Sequence, residues 1–339
     1  FNRNSALAAN SWFNNSTVDR LTGKTLPKSF LNRNQFGGNI SGPVLAPKKV
    51  FGPLGGWNNS KDKLFFFFTY EGFRQRTQSL QNNTIPAYDD YLTGVFRYVR
   101  PSDGSVQAVN VLSLIPGLTL DPAVKQRALS AVPSASLANN FDVGNSTAAR
   151  LLNTAGYRFL QSDKNDRNQY AFRFDYQATE SHRFEFIHQR FKETDDRTDL
   201  DTINLRPKVY TDSDTKLLVG AWRWTASPKL NNELRIGGNL APVAFNSSEN
   251  YSGLFYGNLP VTTREVTFMP QGRDTRTYQY IDNASYVTGN HSMQFGGSLQ
   301  QIRVNPYNLA GIYPTLNFGF SASAPAAQQL VAEIGRAHV

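Results

Sequence analysis

The sequence predicts an all-β protein: an up-and-down antiparallel meander of the kind that closes into a transmembrane barrel, with long loops on one side and one short loop helix. Three observations lead there. Eight short segments alternate aromatic or aliphatic residues with polar ones, the period of two that belongs to strands. The gaps between these segments are alternately long and short. Aromatic residues make up 13% of the chain, with 24 Phe and 15 Tyr, which suits a surface that meets lipid and its interfaces.

The pattern is clearest in RNQYAFRFDYQATESHRFEFIHQRF (167–191). Tyr170, Phe172, Phe174 and Tyr176 fall on one face of a strand, with Ala171, Arg173 and Asp175 on the other. After a short turn, Phe184, Phe186 and His188 resume the apolar face against Arg183, Glu185 and Gln189. The same reading places strands at 34–42, 63–75, 168–177, 182–191, 216–225, 232–240, 278–287 and 291–303. The connections run 20, 92, 4, 24, 6, 37 and 3 residues. From the second onward they alternate long and short, the parity of a meander with one elaborated side rather than of a Greek key. Turn chemistry supports the short ones, with Ser227-Pro228 ahead of Asn231-Asn232 and Gly289-Asn290 between Tyr286 and Met293. The first connection is long for its side but rich in Gly-Pro and Gly-Gly pairs.

Leu217, Val219 and Ala221 place apolar side chains on the face expected to line the lumen, and Phe65 and Phe67 make the second strand apolar on both faces. A filled lumen accommodates such residues better than an open water channel. The insertion 76–167 is too long for an unstructured loop in a compact body. Within it, Asp121 is expected to cap a helix that starts at Pro122 and stops at Pro133. Val124, Ala128, Ala131 and Val132 would be its packed stripe.

Composition bounds the function. Hydrophobic residues are 40% of the chain and the mean hydropathy is −0.45. No apolar run approaches the 18 or so residues a membrane helix needs. There are no cysteines, so disulfides and thiolate-bound metals play no part. The net charge is +9, but the basic residues are scattered, so no nucleic-acid partner is expected. Lumen and loop arginines near lipopolysaccharide phosphates are the simpler account.

No catalytic or cofactor signature emerges. His182 and His188 share a strand face six residues apart, roughly 20 Å, too far to share a metal ion. Gly23-Lys24-Thr25 ends like a phosphate-binding loop, but Val18 stands where the first glycine is required. No nucleophile-elbow motif occurs. The acidic stretch Glu193, Asp195, Asp196, Asp199 and Asp201 has carboxylates for Ca²⁺ but lacks the spacing and glycine of an EF-hand, and a solvated loop is the plainer reading. In the long insertion, Tyr88, Tyr91 and Tyr98 with Arg97 are the candidates for ligand contact, and loop packing is the competing role. Tyr176, Phe184, Trp224 and Tyr286 lie beside short turns on the apolar face and are expected to form an interfacial girdle.

Several stretches resemble one family. NRNQFGGNISGPV (32–44) followed by KDKLFFFFTYEGFRQR (61–76) is similar to the barrel entry of TonB-dependent receptors of the Oar-like type. So are DRNQYAFRFDYQATESHRFEF (166–186), WTASPKLNNELRIGGN (224–239) and DNASYVTGNHSMQFGGSLQQI (282–302), in the same order. The resemblance implies an outer-membrane barrel of about 22 strands, of which this chain holds about eight. It also implies an internal plug and energisation by TonB, both outside this segment. Outer-membrane lipid, lipopolysaccharide and an unidentified extracellular ligand would be the remaining partners. On this reading residues 1–332 are a partial barrel domain. The segment 333–339 (EIGRAHV) resembles the translation of a sequencing adapter, and the natural protein is expected to continue at both ends. Import of a scarce, bulky ligand is the function implied. A surface adhesin or secretion-linked barrel is the alternative, and a soluble β-sandwich a more distant one.

Overall fold

The computed structural model describes residues 1–16, 23–25, 28–44, 62–249 and 253–317. The segment 333–339 and most of the first long connection lie outside the described residues. The strands are β1 Asn2–Asn4, β2 Leu31–Pro43, β3 Leu64–Pro86, β4 Val95–Val99, β5 Val106–Asn110, β6 Thr154–Gln177, β7 His182–Asp196, β8 Val209–Ser227, β9 Leu230–Ser247, β10 Phe255–Gly257, β11 Gln271–Thr288, β12 His291–Asn308 and β13 Thr315–Asn317. Nine of them form one sheet in the order β1-β2-β3-β6-β7-β8-β9-β11-β12, and every neighbouring pair is antiparallel. The meander is therefore present, with its strands in chain order. It does not close: β1 and β12 are its two edges, and β12 is exposed along its whole length.

All eight expected strands occur, and their short-turn ends agree with the sequence reading to within two residues. Their other ends run further. The expected strand at 168–177 begins at Thr154, and the one expected to stop at 75 continues to Pro86. Alternation marks only the part of a strand with one apolar face. Beyond it the pairing continues without a regular apolar face, because the backbone groups still need partners. The 24 residues of β6 span roughly 80 Å at the strand rise, far more than the 9–11 residues a membrane crossing takes.

Short turns close one end. Pro228 and Lys229 link β8 to β9, with a bulge between Thr225 and Ser227. Gly289 and Asn290 link β11 to β12, and Gly289 takes φ +55°, the left-handed conformation a two-residue hairpin requires. A close packing device joins β2 to β3. Phe36 pairs directly with Gly72, and its ring lies where a Cβ on that glycine would sit, at 2.6 Å. The Arg74 guanidinium stands 5.8 Å from the same ring.

The buried core lies at the long-loop end. Ile85, Ala155 and Val209 at the strand ends and Ile203, Val261, Val266 and Met269 in the loops are all nearly inaccessible. Gln161 is completely buried and donates both amide hydrogens, to the carbonyls of Asp201 at 2.6 Å and Asn204 at 2.7 Å. Asn83 Nδ2 donates to the Thr202 carbonyl at 2.6 Å, and Gln81 Nε2 to that of Thr198 at 3.2 Å. Thr262 N donates to Thr84 O, and Arg264 N to Ala131 O, both at 2.7 Å. Connections 87–153, 197–208 and 248–270 are thus tied to the strands and to one another as one cap. The loop helix covers only Pro122–Arg127, with Asp121 Oδ1 accepting from Ala123 N and Val124 N at 2.8 and 3.0 Å. It is shorter than expected. A 3-10 turn, Leu129–Ala131, follows, and Val132 is extended ahead of Pro133. Ala128 is buried as anticipated, but Leu129 joins it while Val124, Ala131 and Val132 are only partly covered.

Two outcomes are expected. Gly72→Ala in the intact barrel displaces the Phe36 ring and costs about 1–3 kcal/mol, read as a lower urea midpoint for unfolding from detergent. Expressed alone, the segment aggregates or needs denaturant, since each edge leaves backbone groups that lipid cannot satisfy. A monodisperse, heat-modifiable barrel recovered in detergent would contradict the second.

Candidate functional site

Register sorts the side chains onto two faces. Tyr176 pairs with Phe184, Phe184 with Trp222 and Trp222 with Leu234. Directly paired residues share a face, so these four lie together with Phe172, Phe174, Phe186, Leu218 and Ile236. Trp224 is two residues from Trp222, and Tyr286 pairs with Leu230 and Met293 on the same side. Tyr176, Phe184, Trp224 and Tyr286 are thus all on the apolar face and all at the short-turn end.

Their rings form a series. Tyr176 and Phe184 are 6.3 Å apart, Phe184 and Trp222 6.4 Å, and Trp222 and Trp224 5.9 Å, each pair nearly parallel. His182 stacks on both tryptophans at 5.8 and 6.1 Å, and Trp222 Nε1 donates to its Nδ1 at 3.1 Å. Sequence reading singled out Trp224 but missed Trp222 and His182. The signal was present, since Trp222 is two residues from Trp224 and must share its face.

The opposite face is polar and ionic near the short turns. Arg173 bonds to Asp175 and to Glu185, each at 2.8 Å, and Arg183 reaches Asp175 at 3.0 Å. Arg223 bridges Glu185 to Glu233, which also binds Arg235. The Glu185 side chain is only 6% exposed, so two guanidinium partners offset the cost of burying its charge. The ion pairs run from strand to strand, Arg173 to Glu185 to Arg223 to Glu233, and alternate in sign along that line.

In the cap, the four residues named for ligand contact occupy different surroundings. Tyr91 is buried. The Arg97 guanidinium makes two bonds of 2.7 Å to Asp90 and lies 3.7 Å from the Tyr88 ring centre. Asn153 brackets the Arg97 backbone, accepting from its N–H at 2.7 Å and donating to its carbonyl at 2.8 Å. Tyr98 stands exposed on β4. The hydrogen bonds from Arg97 hold the Asp90 carboxyl below the usual carboxylate range. Burial pushes the Glu265 carboxyl upward against the pull of Arg127, 3.7 Å away.

The acidic stretch is divided among separate partners. Asn165 Nδ2 donates to Glu193 and Asp195 at 2.8 and 2.7 Å, and Arg197 clasps Asp199. The Asp201 carboxylate accepts from Lys208 N at 2.8 Å and from the Asn204 amide. Among the described residues, no three His, Cys, Asp or Glu side chains converge as ligands for a metal ion.

A sheet with one apolar and one ionic face, and all its elaboration on one side, is the wall of a membrane barrel. The family model described as an outer membrane beta barrel domain matches residues 1–334, and the chain belongs to that family. Its place is therefore the bacterial outer membrane, with the apolar face toward lipid and the ionic face toward the lumen. Comparison with curated proteins gives no match.

The Arg97–Asp90 contact carries a pH dependence of defined sign. The Asp90 carboxyl is lowered on folding, so its contribution is complete above its unfolded value, about 3.9, and is lost as pH falls through the lower folded value. The Asp90 contribution to protease resistance at residues 87–110 is expected to hold from pH 7 to about pH 4 and to be lost below that. Arg97→Met should remove the Asp90 component of this acid-sensitive step, and cleavage mapping at residues 87–110 measures it.

Proposed function

We propose that this chain forms part of the wall and the roof of a receptor that imports a scarce, bulky ligand across the outer membrane with energy from TonB. The observation that carries the reading is the cap. Three long connections fold together over strand extensions well beyond the span a membrane needs. Such a platform displays side chains where an extracellular ligand first arrives. Apolar Leu217, Val219 and Ala221 on the lumen side suit a barrel filled by a plug better than an open pore. The receptor type itself rests on the likeness of the five stretches quoted above to Oar-like receptors.

In this reading ligand contact falls to the large connection. Tyr98 offers an exposed ring, and Arg97, held by Asp90 and Tyr88, fixes the hairpin of β4 and β5 that presents it. Tyr91 anchors that hairpin from below. Tyr176, Phe184, Trp224 and Tyr286 form the girdle at the inner interface, where a ring stays in apolar surroundings while its polar atom stays wet. The folded roof also suits a surface adhesin that binds a partner without import, and uptake separates the two.

The test is deletion of residues 88–100 in the full-length receptor, followed by ligand binding on whole cells. Binding should fall about tenfold or more with surface display intact. Unchanged binding would remove this segment from the site. Loss of ligand uptake in a strain lacking TonB, with binding retained, supports import, and unaffected uptake excludes TonB-driven import.

A further inference from the structure

Beyond the apolar belt, on the same lipid-facing side, the strands carry two matching clusters of charge. On β6, Asp166 accepts from Arg76 at 2.6 and 3.2 Å, with Lys164 at 3.3 Å and Arg74 at 4.0 Å. On β8, Asp214 accepts from Arg190 through two bonds of 2.6 Å, with Lys216 at 3.6 Å. Lys192 faces Asp214 directly across the ladder. Each cluster sets three cations around one carboxylate, and with Asp212, two residues from Asp214 on the same face, the region still carries more positive than negative charge. The side chains of Arg74, Arg76, Lys164, Arg190 and Lys216 remain between 31% and 46% exposed.

Their spacing follows from the register. Asp166 is level with Thr194 and Asp212, so Asp214 lies two strands away and one two-residue step along. At the usual strand spacing and rise, the cluster centres are about 12 Å apart. Polar groups bridge the gap. Asn168 Oδ1 accepts from Arg74 and from the Tyr70 hydroxyl, at 2.8 and 2.9 Å, and the Tyr170 hydroxyl accepts from Arg190 at 2.9 Å. Immediately toward the short turns, the same face becomes Phe172, Phe174, Phe186 and Leu218.

We propose that the two clusters form a binding site for one phosphorylated glycolipid of the outer leaflet, each cluster taking one of two phosphates on a single headgroup. Arg and Lys offer charge-assisted donors to phosphate oxygens, and the tyrosine hydroxyls and Asn168 face the sugar between them. The acyl chains lie down the phenylalanine-lined belt below. A phospholipid with a single phosphate fills only one cluster, so the pair selects the two-phosphate headgroup. The inference rests on the placement of the belt in the membrane and is independent of what the barrel imports.

The test uses the intact barrel protein purified in detergent and presented with lipopolysaccharide, its phosphatase-treated form, phosphatidylglycerol and inorganic phosphate. The unsubstituted protein should bind the two-phosphate lipid at least about tenfold more tightly than the other three, with affinity falling as salt rises. Arg76→Gln with Lys164→Gln, and separately Lys192→Gln with Lys216→Gln, should each cost about tenfold. Lys125→Gln in the loop helix should cost nothing. Heat-modifiable migration reports whether each variant has folded, and the comparison of lipids requires no variant. Equal binding of the dephosphorylated lipid overturns the proposal, as does equal competition by phosphatidylglycerol or by phosphate alone.

Discussion

Backbone hydrogen bonding governs this structure before any side chain does. Lipid offers no partner for an N–H or C=O, so a chain crossing it as strands must pair each one with a neighbour in an unbroken ladder. The antiparallel meander from β1 to β12 meets that demand everywhere except at its two edges. The two-residue turns follow from it, because only a tight hairpin passes the ladder from one strand to the next without opening a gap. The Phe36 ring over Gly72 covers a place where a missing side chain would leave the β2–β3 seam bare.

A ladder held this way frees the side chains to answer two different solvents. Apolar rings collect where the face meets lipid, and those near the short turns stack from Tyr176 to Trp224. On the other face Arg173, Glu185, Arg223 and Glu233 alternate in sign, each charge held by neighbours on adjacent strands. Neither face buries much against protein, which is why the compact core lies elsewhere. It forms where the loops return over the strand ends, and Ile85, Ala155 and Val209 are buried at that end together with Ile203, Val261, Val266 and Met269 of the loops. Amides at Gln81, Asn83 and Gln161 fasten the backbone of 197–208 there, and Arg264, bonded to Ala131 and to Asn204, joins the other two connections to it.

The change from apolar to charged residues along the lipid side has a consequence for binding. A strand that leaves the hydrocarbon must still present something to the headgroup layer, and here it presents surplus cations grouped around single carboxylates. Asp166 and Asp214 hold the neighbouring guanidinium groups in place without cancelling the field. Coulombic attraction at such a boundary is stronger than in open water, because the adjacent apolar belt lowers the local dielectric.

Alternation along the chain by itself located eight strands of the main sheet, the face each of their residues takes and their short-turn ends, because a side chain's face depends only on parity, whereas the short strands β1, β4, β5, β10 and β13 gave no such signal. It located Tyr176, Phe184, Trp224 and Tyr286 at one end of the apolar face for the same reason. Tertiary structure alone decided where the strands end on the long side, since pairing outlasts the alternation that signals it. It also decided that Tyr91 is buried, that Arg97 is clasped by Asp90 and Tyr88, and that Asp201 is held by main-chain donors. The cap was beyond the reach of local pattern. Its ties join residues as far apart as Asn83 and Thr202, 119 positions along the chain, and no periodicity carries information over that distance. The paired charge clusters were hidden likewise, because Arg76 and Asp166 become neighbours only when the β3–β6 register is set.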